Sequence, residues 1–194
     1  SAGEGGMLVV NDDRFKERAE ILWEKGTNRA AFFRGEVNEY GWVDVGSSFL
    51  PSEVTAAFLR AQIEHLEAIQ ARRKALWQRY WGALAAGEAA GLFTRPYVPE
   101  YATSNASLFY LVCRSRGERQ ELLRHLTGKG ILAVFHYLSL HKSTFYSSKH
   151  DGRVLPNSDR FSDCLVRLPL YYELTEAQVD FISETTLAAF AVLA

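Results

Sequence analysis

Residues Gly26 to Glu53 read GTNRAAFFRGEVNEYGWVDVGSSFLPSE, and the assignment of the whole chain turns on them. No sustained helical or strand period runs through the stretch, which joins a short helical pattern to a very long one. A connection of this length inside a compact domain is either functional or disordered. Its aromatic density (Phe32, Phe33, Tyr40, Trp42, Phe49) argues against disorder, because disordered segments are poor in such residues. The stretch therefore predicts an ordered loop held by aromatic anchors. Asn28, Arg29 and Arg34 supply donors suited to phosphate or carboxylate, and the arginine fork binds such groups through paired hydrogen bonds. Ser47 and Ser48 come just before an expected helix start, where backbone N–H groups favour anions. A second reading, surface ion pairs from Arg29 and Arg34 to Glu36, Glu39 or Asp44, accounts for the same residues.

Upstream of the loop, Gly3-Glu4-Gly5-Gly6 reads as a tight turn. It lacks the form of a phosphate-binding loop, and a strand pattern rather than a helix follows it. Met7 to Val10 predicts a short buried strand ended by Asn11-Asp12-Asp13. Asp12 or Asp13 then caps a helix running to about Lys25, with Phe15, Ala19, Leu22 and Trp23 inward and Gly26 closing it. One strand and one helix make no core, so this piece belongs to a sheet supplied by other residues or another chain.

Downstream, Pro51 fits a first helical turn. The interval 52–90 carries no proline, and Val54, Phe58, Leu59, Ile63, Leu66 and Ile69 form a wide apolar face. It predicts one long or gently broken helix bridging two bodies. The run Arg72-Arg73-Lys74 reads as its solvated side. Residues 96–105 read as loop, Ser107 to Cys113 as a strand, Gly117 to Lys129 as an amphipathic helix and Ile131 to His136 as a second strand. Residues 137–157 are irregular, and Asp159 to Val166 is a short helix. Arg167-Leu-Pro-Leu170 is too proline-marked for a central strand. Thr175 and Gln178 form a capping box, with Leu174 stapled to Val179. Val179, Ile182, Thr186, Phe190 and Leu193 then share one helical face. The division is 1–50, a loop-bearing piece of a large domain; 51–90, the bridging helix; and 91–194, a small α+β domain.

The net charge of -1 gives no electrostatic footprint for nucleic acid or a membrane surface. No apolar run reaches the about 18 residues of a membrane helix, and the N-terminal residues lack the shape of a signal peptide. Cys113 and Cys164 fit no metal or redox spacing and suit buried thiols in a reducing cytoplasm. His136 and His141, in Phe135-His-Tyr-Leu-Ser-Leu-His141, lack a third metal ligand. They read as pocket-lining imidazoles at a strand's exit, or in the case of His136 as a core side chain satisfied by a hydrogen bond.

The order of EKGTNR (24–29), FFRGEV (32–37), Tyr40-x-WVDVGSS (40–48), LPSE (50–53), AAFLRAQ (56–62), AVFHYLSLH (133–141) and LVRLPLYYELTEAQV (165–179) resembles the DegT/StrS-type sugar aminotransferases across essentially the whole chain. The resemblance implies an α/β fold, the C-terminal part of a fold type I aminotransferase. It also implies pyridoxal 5'-phosphate as cofactor and a homodimer with shared active sites. The implied substrates are a nucleotide sugar, a dTDP-4-keto-6-deoxyhexose aminated at C4, and an amino-acid donor, L-glutamate. In the family the cofactor lysine lies a few residues before the GEGG turn, so the resemblance places it upstream of Ser1 and implies that this chain alone is inactive. Ser48 takes the position where many relatives place an Asn that reaches the cofactor phosphate, and Asn28 is assigned beside it. Arg29, Arg34, Tyr40, Phe135, His136, Tyr137 and His141 match segments bordering the sugar-nucleotide pocket. The usual proline before Leu140 is Ser139 here. A non-catalytic nucleotide-sugar-binding or dimerisation domain is the alternative.

Overall fold

A computed structural model describes residues 3–193, with side chains described through Ala191; the expected inward placement of Leu193 lies outside the described side chains. The chain divides into two compact units, one through Leu66 and one from Glu67 onward.

In the first unit the predicted strand at 7–10 does not form, and Met7 is 90% exposed. A strand is stable only when its backbone groups are paired, and residues 7–10 have no ladder partner. The Asp12 carboxylate accepts from the Arg14 N–H (3.0 Å) and caps a 3-10 turn, Asp13–Phe15, which leads into α1, Lys16–Trp23. Phe15 and Trp23, expected inward, are exposed. α1 ends where Lys25 (φ 61) and Gly26 (φ 74) turn left-handed and the Gly26 N–H reaches Ile21 O at 2.8 Å. The loop holds a short helix that periodicity missed, α2, Arg29–Phe33. α3, Glu53–Glu64, begins one turn residue later than expected. The Ser52 hydroxyl accepts from the Thr55 N–H (3.2 Å), leaving Pro51 outside the helix. Among the described residues of this unit Glu24 and Gly26 are buried, and no apolar side chain is.

The helical run over 52–90 is α3 followed by α4, Leu66–Ala83, and α5, Ala85–Ala89, with breaks at His65 (φ -106) and Leu84 (φ -96). The second unit continues with β1, Phe93–Thr94; β2, Phe109–Cys113; α6, Arg116–Gly128; α7, Pro156–Cys164; β3, Leu165–Leu168; and α8, Glu176–Leu193. The sheet runs β1-β2-β3 and both pairings are antiparallel, with Leu111 opposite Val166 and Phe109 opposite Leu168. Phe109 is the hub of the core: its ring stacks on Tyr80 at 5.0 Å and meets Trp77 edge-on at 5.4 Å. Leu122 and Leu126 of α6 and Val179, Ile182 and Phe190 of α8 close that core.

Four readings need correction in this unit. Residues 131–136 form no strand: only Val134 bridges Arg167, through two backbone hydrogen bonds of 3.1 and 2.7 Å, before the chain leaves the sheet. Conversely, Arg167 and Leu168 do belong to a strand. Pro169 falls just past it, so its missing N–H removes no ladder bond. α7 starts earlier, with Pro156 in its first turn, and stops at Cys164 because Leu165 is already extended (φ -83, ψ 135). Arg72 and Arg73 are not a solvated face. Their guanidinium groups donate to Leu174 O (2.6 Å), and to Ala106 O (3.0 Å) and Ser107 O (2.6 Å), carbonyls the sheet leaves unpaired.

Other signals hold. Ser115 caps α6 through the Glu118 N–H (3.2 Å), and the predicted box at α8 is present, with Thr175 N–H donating to Gln178 Oε1 (2.9 Å) and Gln178 N–H to Thr175 Oγ1 (3.2 Å). Leu174 and Val179 are both buried beside it. The cysteines are free, buried thiols, and the β2–β3 register, continued by one step, sets Cys113 opposite Cys164. Burial pushes the Cys113 thiol up to about 12, which keeps it protonated. Among the described residues no helix is long and apolar enough to cross a membrane, and no group of three or more His, Cys, Asp or Glu is placed to hold a metal.

Candidate active-site elements

The loop from Gly26 is closed by its own backbone. Gly26 O accepts from Val43 N–H (2.8 Å) and Asp44 N–H (3.0 Å), while Lys25 N–H donates to Ser47 O (3.1 Å). Thr27 pairs with Trp42 and Glu24 with Ser48 as antiparallel bridges. The two arms touch at Gly26 and Gly46. A Cβ on either would fall onto the opposing backbone, so both positions require glycine. Asn28 completes the closure, since its backbone N–H reaches Gly41 O (3.3 Å) and its Oδ1 accepts from Gly41 N–H (2.8 Å).

Within this frame Arg29 pairs with Glu24 (2.6 Å) and lies 5.1 Å from the Phe33 ring centre. Arg34 lies between Glu20 (2.9 Å) and Glu36 (2.8 Å), and Arg18 is ion-paired with Asp44. The Arg34 guanidinium holds the Glu36 carboxyl below its ordinary range, and both glutamates raise Arg34. Asn28 and Arg34 line one cavity of about 340 Å³ with Glu20 and Glu36. Phe32 packs between Phe33 (5.7 Å) and Tyr40 (5.4 Å). The expected anchors Phe33, Tyr40, Trp42 and Phe49 present their rings outward, with Trp42 81% exposed. Ser48 stands exposed on the returning arm, away from the N-terminus of α3, and its hydroxyl makes no hydrogen bond.

The second set lies on the segment that leaves the sheet after Val134. Phe135 and Tyr137 are exposed, and the His136 ring meets Tyr137 edge-on at 4.7 Å. His136 Nδ1 is buried and has no hydrogen-bond partner. His141 Nε2 lies 3.1 Å from the Asp159 carboxylate, which also takes Lys142 Nζ at 2.8 Å. The Lys142 ammonium is the main cause that lowers the Asp159 carboxyl. Ser139 is buried; its N–H donates to Ser162 Oγ (3.1 Å) and its hydroxyl to Ser158 O (3.1 Å).

The polar side of α7 (Ser158, Asp159, Ser162) thus clamps residues 139–142, and the aromatic side chains before them project outward. Sequence reasoning missed Asp159 and Ser162. Their only signal was the i, i+3, i+4 polar spacing on a short helix, which also describes a solvated face. It also missed Arg119. That guanidinium is nearly buried, lies 5.7 Å from the Phe135 ring centre and leaves its Nε unpartnered. Asn28, Arg29, Arg34, Tyr40 and Ser48 belong to the first unit; Phe135, His136, Tyr137 and His141 belong to the second.

The fold these elements share is that of the fold type I aminotransferases. A sugar aminotransferase from Micromonospora echinospora matches with a TM-score of 0.81 at 21% identity, covering 97% of this chain and 48% of its own. The aminotransferase TlmJ from Streptoalloteichus hindustanus matches at 0.78 and 22% identity, over 95% and 47%. The PLP-form of a putative sugar aminotransferase from Streptococcus pneumoniae matches at 0.74 and 21% identity, over 95% and 45%. The chain spans about half the length of these structures. The sequence profile of the DegT/DnrJ/EryC1/StrS aminotransferase family matches residues 1–186, and the chain belongs to that family.

Enzymes of this family use pyridoxal phosphate, and the pneumococcal protein was solved in PLP- and PMP-forms. The residues present fit one end of that group. The unpartnered Ser48 hydroxyl suits its phosphate, whereas Asn28 spends its carbonyl oxygen on Gly41. The aldehyde end finds no matching lysine: Lys16 pairs with Asp13, Lys142 with Asp159, and Lys149 lies over the Phe145 ring, while Lys25, Lys74 and Lys129 stand in no such motif.

Proposed function

We propose that this chain is the C-terminal portion of a pyridoxal-phosphate sugar aminotransferase of the dTDP-4-amino-4,6-dideoxygalactose transaminase kind. The complete enzyme transfers an amino group from L-glutamate to the C4 ketone of a dTDP-4-keto-6-deoxyhexose, for a surface polysaccharide of the enterobacterial common antigen type. Membership of the family over residues 1–186 carries the reading. The cofactor supplies reversible storage of the amino group. Ser48 holds its phosphate, and Asn28 keeps the loop arms in register around it.

In this reading Tyr40, Phe135 and Tyr137 offer aromatic faces to the sugar nucleotide. Arg29 and Arg34 balance its diphosphate, and His136 and His141 border the sugar. Arg34 is already shared by two glutamates, so diphosphate binding displaces at least one of them. The complete enzyme works as a homodimer in the cytoplasm, with the loop of one copy closing the pocket of the other.

The test starts with the 194-residue chain, mixed with pyridoxal phosphate and treated with borohydride. No single lysine becomes labelled, and stoichiometric labelling of one lysine sinks the assignment of an upstream lysine. The gene's longer product, assayed with L-glutamate and dTDP-4-keto-6-deoxyglucose, yields the 4-amino sugar. A 3-amino product from the 3-keto isomer overturns the C4 assignment, and an inactive longer product favours the binding-module reading.

A further inference from the structure

A cavity of about 770 Å³ in the second unit opens where β3 ends and α8 begins, within the size range of small-molecule sites. Leu108, Leu132 and Phe181 give it apolar walls, Arg167 is its only charged side chain, and no carboxylate lines it. None of the residues assigned from the sequence takes part in it.

Arg167 is held in place by its backbone, paired to Tyr110 across the sheet and to Val134 on the other side. Alternation along β3 sets it on the face opposite Val166 and Leu168, which fill the core. Its half-buried guanidinium makes no hydrogen bond or ion pair with the protein. The nearby arginines are all committed: Arg72 and Arg73 to backbone carbonyls, and Arg79 to Asp180 (2.6 Å) and Glu176 (2.8 Å). A guanidinium at a cavity wall with no counter-charge in the protein is free to take the anion of a ligand. A single planar fork fits one carboxylate through two parallel hydrogen bonds. A phosphate dianion needs more donors than this cavity offers, because the first turn of α8 is already closed by the Thr175–Gln178 box.

We propose that this cavity binds a small aliphatic carboxylate, with its carboxylate on Arg167 and its hydrocarbon stem against Leu108, Leu132 and Phe181. The site stands on the cavity and the uncompensated cation alone. Its ligand's class, a carboxylate with an apolar stem, is read from the Arg167 fork and the apolar walls.

The probe is glutarate, a dicarboxylate without an amino group, titrated into the 194-residue chain carrying nitrogen-15 arginine. Glutarate shifts the Arg167 Nε–H resonance, Arg167→Gln weakens binding about tenfold or more, and Arg167→Lys falls between. Arg116→Gln, on the exposed start of α6, leaves binding unchanged. If Arg167→Gln does not fold, the lysine variant decides the same question. Inorganic phosphate binding as tightly as glutarate overturns the proposal, as does equal loss in the Arg116 variant or none in either Arg167 variant. Glutarate binding at Arg167 in a gene product without transaminase activity leaves the site standing and removes the function; activity without such binding does the reverse.

Discussion

The Asp159 carboxylate pairs with both His141 (3.1 Å) and Lys142 (2.8 Å), and with the bonds of Ser139 to Ser158 and Ser162 it holds the segment after the aromatic side chains against α7. Replacing it with alanine removes an exposed ion pair, of a kind that adds little to global stability. The expected result is faster amide exchange across residues 137–150 with an almost unchanged melting temperature; unchanged exchange refutes the clamp. The pH dependence follows from the direction of its shift. A carboxyl whose folded pKa is lowered stabilises fully above its unfolded value, about 4, and that contribution is lost as pH falls through the lowered folded value. Resonances of Lys142 and Tyr146 therefore stay native at pH 5 and change only below about pH 4. An Asp159→Asn chain shows no such step, and a transition centred near pH 6 would point to the histidines instead.

Among the elements, the loop and the sheet respond differently to small substitutions. Gly46→Ala forces a methyl into the Gly26 backbone and opens the arm pairing, so it destabilises the loop where the same exchange inside a helix would gain about 0.5–1 kcal/mol. Protease cleavage between residues 26 and 49 rises several-fold while the near-ultraviolet signal of the tryptophan core stays intact; equal cleavage in both chains contradicts the crossing. Phe109→Ala, at the hub of the sheet, costs about 3–5 kcal/mol, whereas Met7→Ala at an exposed position costs almost nothing. Thermal melts that rank them the other way reject this core.

The same elements show what the sequence could convey. The Thr175–Gln178 box was legible because a cap is a local bond between neighbours, and the Ser115 cap, equally local, was passed over. The strands at 7–10 and 131–136 were misread because a strand depends on a partner elsewhere in the chain. Pro169 misled because its position relative to the last ladder bond is set by register, which composition does not record. The loop's candidate residues were visible by type, but that Arg34 is shared by Glu20 and Glu36 depends on α1 lying beside it.

For the molecule as a whole, the two units differ in how they are held together. The second has a continuous core, while the first buries no apolar side chain and leaves Met7, Val54, Phe58 and Ile63 exposed. Apolar surface of that extent drives association. Light scattering is expected to show mass rising with concentration, and Phe58→Glu with Ile63→Glu suppresses the rise. A monomer across the whole range contradicts this.

The crossing of Gly26 and Gly46 also separates the roots of the loop from its tip. Insertions or deletions between Gly35 and Glu39 lengthen or shorten its reach without disturbing the arms, since each backbone bond that closes the loop lies outside that interval. A chain that keeps the two glycines can therefore change the length of this tip without moving its roots.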